Sequence, residues 1–232
     1  WVFKNMKNNK VLLVFSLFVL SLPCAVYSSG TYGFDLSYFQ GDVPASSFQC
    51  LAENGYEFGV IEATHGSEAS LNPYISSVMQ NAKQYIRNVD VYIFPDPYYD
   101  ASDLIGGYIS DLINDGVLTD NMVWFDIEGS QYWYDSCSSN QNWLSEAINT
   151  VNSLYKGCGL STCVGIYTSE SQWSPIMCNT SIFSSYPLWY AHYDNNPSFS
   201  DFVAFGGWTS PNVKQYAGTT SICETEIDKD WY

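Results

Sequence analysis

Strand-like and helix-like stretches alternate through the first two thirds of the chain, and this alternation constrains the fold more than any other feature. Runs rich in β-branched and aromatic residues occur at YGFDLSYF (32–39), FGVIEATHG (58–66), DVYIFPDPY (90–98), MVWFDIEG (122–129) and CVGIYTS (163–169). Helical patterns near 45–54, 72–87, 101–115 and 139–157 separate them, with Asn72 and Pro73 at one start and Gly116 and Gly157 at two ends. Strands linked through helices cannot pair as tight hairpins, so these five are expected to lie parallel in one sheet. After Thr168 the regular helical spacing stops, and PLWYAHYD (187–194) and VKQYAG (213–218) are joined by stretches rich in Pro, Ser, Asn and Gly. A helix-wrapped first half and a loop-joined second half predict an α/β chain closed into an irregular β/α barrel. A nucleotide-binding open sheet has little support, because no glycine-rich phosphate loop follows any strand.

The barrel is expected to begin after residue 28. Lys7 and Lys10 precede the apolar run VLLVFSLFVLSLPCAV, and Val26-Tyr27-Ser28 places small residues where signal peptidase cuts. Residues 1–28 therefore read as upstream residues, with Met6 as the start, followed by a secretory signal peptide. The run is short for a membrane span, so no membrane association is expected once the leader is cut. Residues 29–232 have the size at which β/α barrels form a single domain. Removing the leader takes Lys4, Lys7 and Lys10 and no acid, leaving 5 basic against 24 acidic residues, a net charge of −19 instead of −16. Such a balance argues against nucleic acid and anionic membrane as partners. Cys50, Cys137, Cys158, Cys163, Cys178 and Cys223 remain, and an even number in an exported chain implies three disulfides. Their pairing stays open, except that Cys158 and Cys163 flank a short loop. With no C-x-x-C pair and only two histidines, neither zinc nor another cofactor is expected. Asn179-Thr180-Ser181 is a glycosylation sequon.

The run MVWFDIEG places two carboxylates in an otherwise apolar strand, at a cost in desolvation and mutual repulsion. Residues i and i+2 share a strand face, so Trp124, Asp126 and Glu128 look one way and Phe125 and Ile127 the other. The acids stand at the carboxyl end of the strand, just before Gly129, where β/α barrels build active sites. Asp35, Asp96 and Asp228 bring further acids to the same rim, and Tyr92, Phe94, Tyr98, Tyr132, Trp133, Trp189 and Tyr193 crowd it. Carboxylates among aromatic platforms suit a sugar polymer, since rings stack on pyranose faces while acids move protons at the glycosidic bond. A lone D-x-E is a weak signal, and such acids also ligate hard cations such as Ca²⁺. His65 and His192 sit in no nucleophile motif.

Taken in order, YGFDLSYFQ, VDVYIFP, VWFDIEG, VGIYTS, PLWYAHYD with FGGW, and VKQYAG with EIDKDWY resemble the glycoside hydrolase family 25 lysozymes, the Chalaropsis-type muramidases, above all their nematode and amoebic members. The resemblance spans nearly all of residues 29–232. It implies an irregular TIM-like (β/α)5(β)3 barrel, and hydrolysis of the β-1,4 bond between N-acetylmuramic acid and N-acetylglucosamine in bacterial peptidoglycan. Carried over by position, Glu128 is the general acid, Asp126 its catalytic partner, Asp35 the first-strand aspartate and Asp228 the aspartate near the C-terminus. Tyr92, Phe94, Trp189, Tyr193 and Gln215 fall on positions that line the cleft and bind substrate. Retention through Asp126, inversion through water and attack by the substrate's own N-acetyl group are all compatible with this set, and the D-x-E spacing favours the last. The resemblance implies a monomer, secreted or held in a lysosomal or phagosomal lumen, that digests or defends against bacteria. The alternative is a lectin-like relative that binds peptidoglycan without turnover. Two departures stand out. Glu62 occupies a second-strand position where many relatives carry a basic residue, and PDPYY (95–99) replaces a cysteine pair of the nematode and amoebic proteins.

Overall fold

The computed structural model describes residues 30–232, so the upstream residues, the expected leader and Cys24 lie outside it. The elements run β1 (Tyr32–Leu36), α1 (Ala45–Glu53), β2 (Tyr56–Glu62), β3 (Thr64–His65), β4 (Glu68–Leu71), α2 (Ile75–Ala82), β5 (Asn88–Ile93), α3 (Ala101–Asn114), β6 (Val123–Asp126), α4 (Cys137–Leu154), β7 (Val164–Thr168), α5 (Glu170–Met177), β8 (Leu188–Ala191), β9 (Val213–Ile222) and β10 (Thr225–Trp231). Eight strands close a barrel in the order β1-β10-β9-β8-β7-β6-β5-β2, with β3 and β4 as a separate hairpin. From β1 through β2, β5, β6, β7 and β8 to β9 every neighbour is parallel. The barrel is thus the (β/α)5(β)3 arrangement, with five helix-following strands and then three.

The five strands expected to lie parallel do so, and β10 runs antiparallel to both β9 and β1 and forms the closing seam. Its sequence, TEIDKDW, carries one fully apolar buried side chain, Ile227, which is why no strand pattern was legible there. Regular helices do not stop at Thr168, since α5 follows β7 at once. Pro175 lies inside α5 and masks the helical pattern, while Trp173, Ile176 and Met177 bury its inner face. The second strand does not run unbroken to residue 66: it ends at Glu62, and a turn at Gly66 (φ +54°) folds β3 back on β4.

Strand parity divides the apolar residues into two sets. Outward-facing Phe34, Ile61, Val91, Phe125, Ile166 and Leu188 pack against the helices in the large core. Inside the barrel, Val60, Tyr92, Trp124, Tyr167 and Trp189 form a small aromatic plug. The Trp189 ring is the hub, at centroid distances of 4.5, 5.9 and 6.2 Å from Tyr167, Trp124 and Tyr92. Room for it comes from Gly165, where a Cβ would stand 2.3 Å from the Trp124 ring. Among the described residues no helix is long and apolar enough to cross a membrane.

Disulfides join Cys50 to Cys223, Cys137 to Cys178 and Cys158 to Cys163. The last is the pair singled out by spacing. The first links α1 to the β9–β10 turn across 173 residues, and the second ties the start of α4 to the end of α5. Protein beginning at residue 29, denatured without reductant, should therefore titrate no free thiol. One or more equivalents would overturn the three-bridge framework.

Candidate active site

The carboxyl ends of the parallel strands open on a cleft of about 540 Å³ whose floor is the aromatic plug. Asp35 of β1, Asp126 of β6, Glu128 just beyond it and Asp228 of β10 all line this cleft. So do Tyr92, Phe94, Trp189, Tyr193 and Gln215. The strands place them by parity, because Asp126 stands two residues above the inward Trp124 and Gln215 two above Val213. Trp189 and Tyr92 are 2% and 8% exposed, so they are floor, and stacking surface falls to the more open Phe94, Tyr132 and Tyr193. Phe94 and Tyr132 meet edge to face at 5.4 Å.

Three residues assigned to the rim from sequence are elsewhere. Asp96 is not among the cleft residues and caps its own turn by accepting from the Tyr98 N–H. Trp133 is buried in the outer core, and Tyr98 is exposed against Tyr134. Sequence reasoning missed Tyr38, Phe39 and Tyr167, all of which line the cleft. For Tyr167 a signal existed, since it shares its strand face with Gly165, the residue that makes room for the plug.

Hydrogen bonds sort the acids into two groups. Gln215 receives the hydroxyls of Tyr167 (2.7 Å) and Tyr193 (2.6 Å) on its Oε1, which turns its amide N–H toward Asp35 at 2.6 Å and Asp228 at 3.4 Å. Asp228 also accepts the Thr219 N–H. Glu62, inward as its parity predicts, accepts from the Tyr38 and Gly66 backbones, the Tyr92 hydroxyl and Thr64. One carboxylate thus ties the loop after β1 to the turn of the β3–β4 hairpin. Asp126 and Glu128, by contrast, accept no side-chain hydrogen bond from the described residues, and Asp126 Oδ1 is buried without a partner.

The electrostatics follow from this crowding. Burial, then Asp228, push the Asp35 carboxyl up to about 8. Burial, then Glu128, Glu62 and Asp35, hold the Asp126 carboxyl well above the usual range, and burial with Asp228 raises Glu128. Burial also raises Glu62, against the pull of its four donors. No Lys, Arg or His lines the cleft to offset these charges among the described residues. Glu128 thus helps to raise Asp126, Asp228 helps to raise Glu128, and the crowded carboxyls resist losing their protons together.

The group best placed for a metal among the described residues is His192, Asp194 and Asp201. Lys214 already fills it. Its buried Nζ lies 2.9 Å from Asp194 and 2.8 Å from Asp201, so an ammonium serves as the cation there.

A family model described as "Lysozyme-like protein 1" matches residues 28–216. The chain is 38% identical to counting factor 50 of Dictyostelium discoideum over 234 aligned positions, covering 97% of this chain and 74% of that protein. It is 41% identical to probable GH family 25 lysozyme 2 of the same organism, covering 80% and 84%. Among solved structures, the family GH25 lysozyme from Aspergillus fumigatus superposes with a TM-score of 0.68 at 21% identity, covering 88% of this chain and 94% of that one. At that identity the likeness speaks to the fold alone.

Proposed function

The chain belongs to the lysozymes of glycoside hydrolase family 25, and from that premise we propose that it hydrolyses the β-1,4 bond between N-acetylmuramic acid and N-acetylglucosamine in bacterial peptidoglycan. The observation that carries this reading is the division of the acids. Asp35, Glu62 and Asp228 are held by the protein's own donors, whereas Asp126 and Glu128 are left without partners at the centre of the cleft. Groups kept free at a desolvation cost are groups whose partner is the substrate.

In this mechanism Glu128 is the general acid. Burial keeps its proton on, and the leaving glycosidic oxygen takes it. Asp126 lines the cleft beside Glu128, and its open oxygen, Oδ2, accepts the acetamido N–H, while Oδ1 stays buried. That contact turns the carbonyl oxygen of the N-acetyl group toward the anomeric carbon, so the substrate supplies its own nucleophile. The acetamido N–H favours the Asp126 anion and so leaves a proton on Glu128; Glu128 gives it to the leaving oxygen as the N-acetyl oxygen bonds to the anomeric carbon, and water then opens the ring so formed and returns a proton to Glu128. Phe94, Tyr132 and Tyr193 supply ring faces and hydroxyls for flanking sugars. The protein acts as a secreted or lumenal monomer that digests or defends against bacteria, without nucleic acid or membrane as partner.

The relative at 38% identity is named a counting factor, not a lysozyme, so a role other than turnover is tested beside the first, as a glycan binder. Product analysis separates the two. Insoluble peptidoglycan should release soluble fragments whose new reducing end, trapped by borohydride, is muramic acid. Reduced glucosamine would mean that the other bond is cut, and wall binding without release would favour the lectin.

A further inference from the structure

Asp230 is the most deeply buried acid among the described residues, with no exposure at all. It follows Asp228 by two residues on β10, so both point inward. In register Asp228 pairs with Asp35, and Asp230 pairs with Gly33 on one side and Gln215 on the other. Asp230 therefore lies directly beneath the Asp35–Asp228 layer, between the cleft and the aromatic plug. Its Oδ1 accepts the Trp189 indole N–H at 2.8 Å. Its Oδ2 is buried and meets no donor from the described residues. The carboxyl nearest to it in register is Asp35, one layer up on β1, and each of the two influences the other's titration.

Two carboxyl groups can share a hydrogen bond only if one of them carries the proton. We propose that Asp230 is a positioning residue: it sits in the barrel as a neutral carboxylic acid, takes the Trp189 N–H on one oxygen and gives its proton to Asp35 from the other, so aiming Asp35 at the sugar in the cleft. The surrounding donors decide which partner holds the proton. Asp35 already receives the Gln215 amide N–H, whose direction is set by the two tyrosine hydroxyls on the amide oxygen. Asp35 is thus furnished as an acceptor. Asp230 has one donor on one oxygen, and its other oxygen is buried without any donor.

No nearby cation favours an Asp230 anion. The groups facing it are Asp35 from β1, Asp228 from its own strand, Trp189 from β8, and Gln215 and Tyr216 from β9. Lys214 is committed to Asp194 and Asp201 on the outer side. Burial and the Asp35 charge accordingly hold the Asp230 proton far above the usual carboxylate range. A carboxylic acid kept neutral by its surroundings so that it can donate is a known device of active sites.

Asparagine copies the shape and hydrogen-bond pattern of the neutral acid, since its oxygen can accept from Trp189 and its amide N–H can donate to Asp35. Asp230→Asn should therefore keep wall lysis within about threefold of the parent and leave the pH profile in place. Asp230→Leu fills the space without a donor and should lose about tenfold or more, the usual size for a group that orients another. In that variant the Asp35 titration should also move to higher pH, because the donor that favoured its anion is gone. An Asn variant as slow as the Leu variant, with Asp35 shifted to lower pH, would mean that Asp230 works as a charge, and would overturn the assignment. The kinetic arm rests on the hydrolase reading above. Carbon-13 titration of the Asp230 carboxyl in the parent protein does not, since it needs no substrate and no variant that must fold. A signal that stays in the protonated range from pH 4 to about 7 supports the assignment, and one that titrates near the ordinary value of about 4 overturns it.

Discussion

Replacing Glu128 with glutamine is expected to lower the rate of wall lysis by a factor on the order of 10²–10⁴, the contribution of a positioned general acid. Glutamine keeps the size and the donors of a protonated glutamate but cannot release a proton to the leaving oxygen. The loss should therefore appear in kcat with little change in KM. Structural damage is not expected to confuse the result. The Glu128 carboxyl accepts no hydrogen bond from the described residues, the residue is only partly buried, and it lies beyond the end of β6, where its backbone carbonyl, which the substitution leaves in place, takes the Trp133 indole N–H. The variant should bind insoluble peptidoglycan as the parent does and unfold at nearly the same temperature. Lysis at the parent rate would remove Glu128 from the role. A variant that neither binds nor folds would place it in the scaffold instead.

Lysis should be fastest at about pH 4–5.5 and fall tenfold or more by pH 7.5. Three effects share this sign. Glu128 needs its proton, and its carboxyl is raised by burial and Asp228, so the general acid is present at low pH and lost as pH climbs through the raised value. Stability follows the same direction. Asp35, Asp126 and Asp230 titrate above their unfolded values, so their contribution is complete below about pH 4 and is lost as pH rises toward the folded values, about 8 for Asp35. Finally, a chain at −19 after leader removal is repelled by the carboxylates and phosphates of a bacterial wall, and acid discharges both partners. Only this third effect responds to salt. At neutral pH the rate should rise several-fold from 0.01 to 0.15 M salt, as the screening length shrinks from about 30 to about 8 Å. Turbidity loss across pH at two ionic strengths measures both, and an optimum at or above pH 7 without any gain from salt would refute the account.

The cleft was legible where parity could be read from a strand with an apolar frame. In VWFDIEG the alternation fixes which side Asp126 and Glu128 take, whereas Gln215 in VKQYAG was reached through the family resemblance alone. Where the frame is missing the reading failed. Asp230 stayed invisible because TEIDKDW offers one apolar side chain to set the phase, although its i, i+2 relation to Asp228 was there to be used. Asp96 was misplaced because β5 ends at Ile93, and parity carries no information past a strand's end. The environment of Glu62 could not be foreseen either. Its inward direction follows from β2, but two of its four donors are backbone N–H groups of separate loops, and sequence does not say which loops will meet. The Cys50–Cys223 pair is hidden for the same reason, since 173 residues separate its halves.

The antiparallel seam has a consequence for how the protein is made. β1 emerges first from the ribosome, yet its partner on one side, β10, is synthesised after every other strand of the barrel, and the Thr31 and Tyr232 backbones are joined at that edge. From the time it is made until β10 follows, β1 is therefore an open edge on that side. The cleft cannot assemble before β10 is made, because Asp228 and Asp230 arrive only with the seam. Until then the other strands form a curved sheet with two open edges, and the acids of the cleft are not gathered in one place.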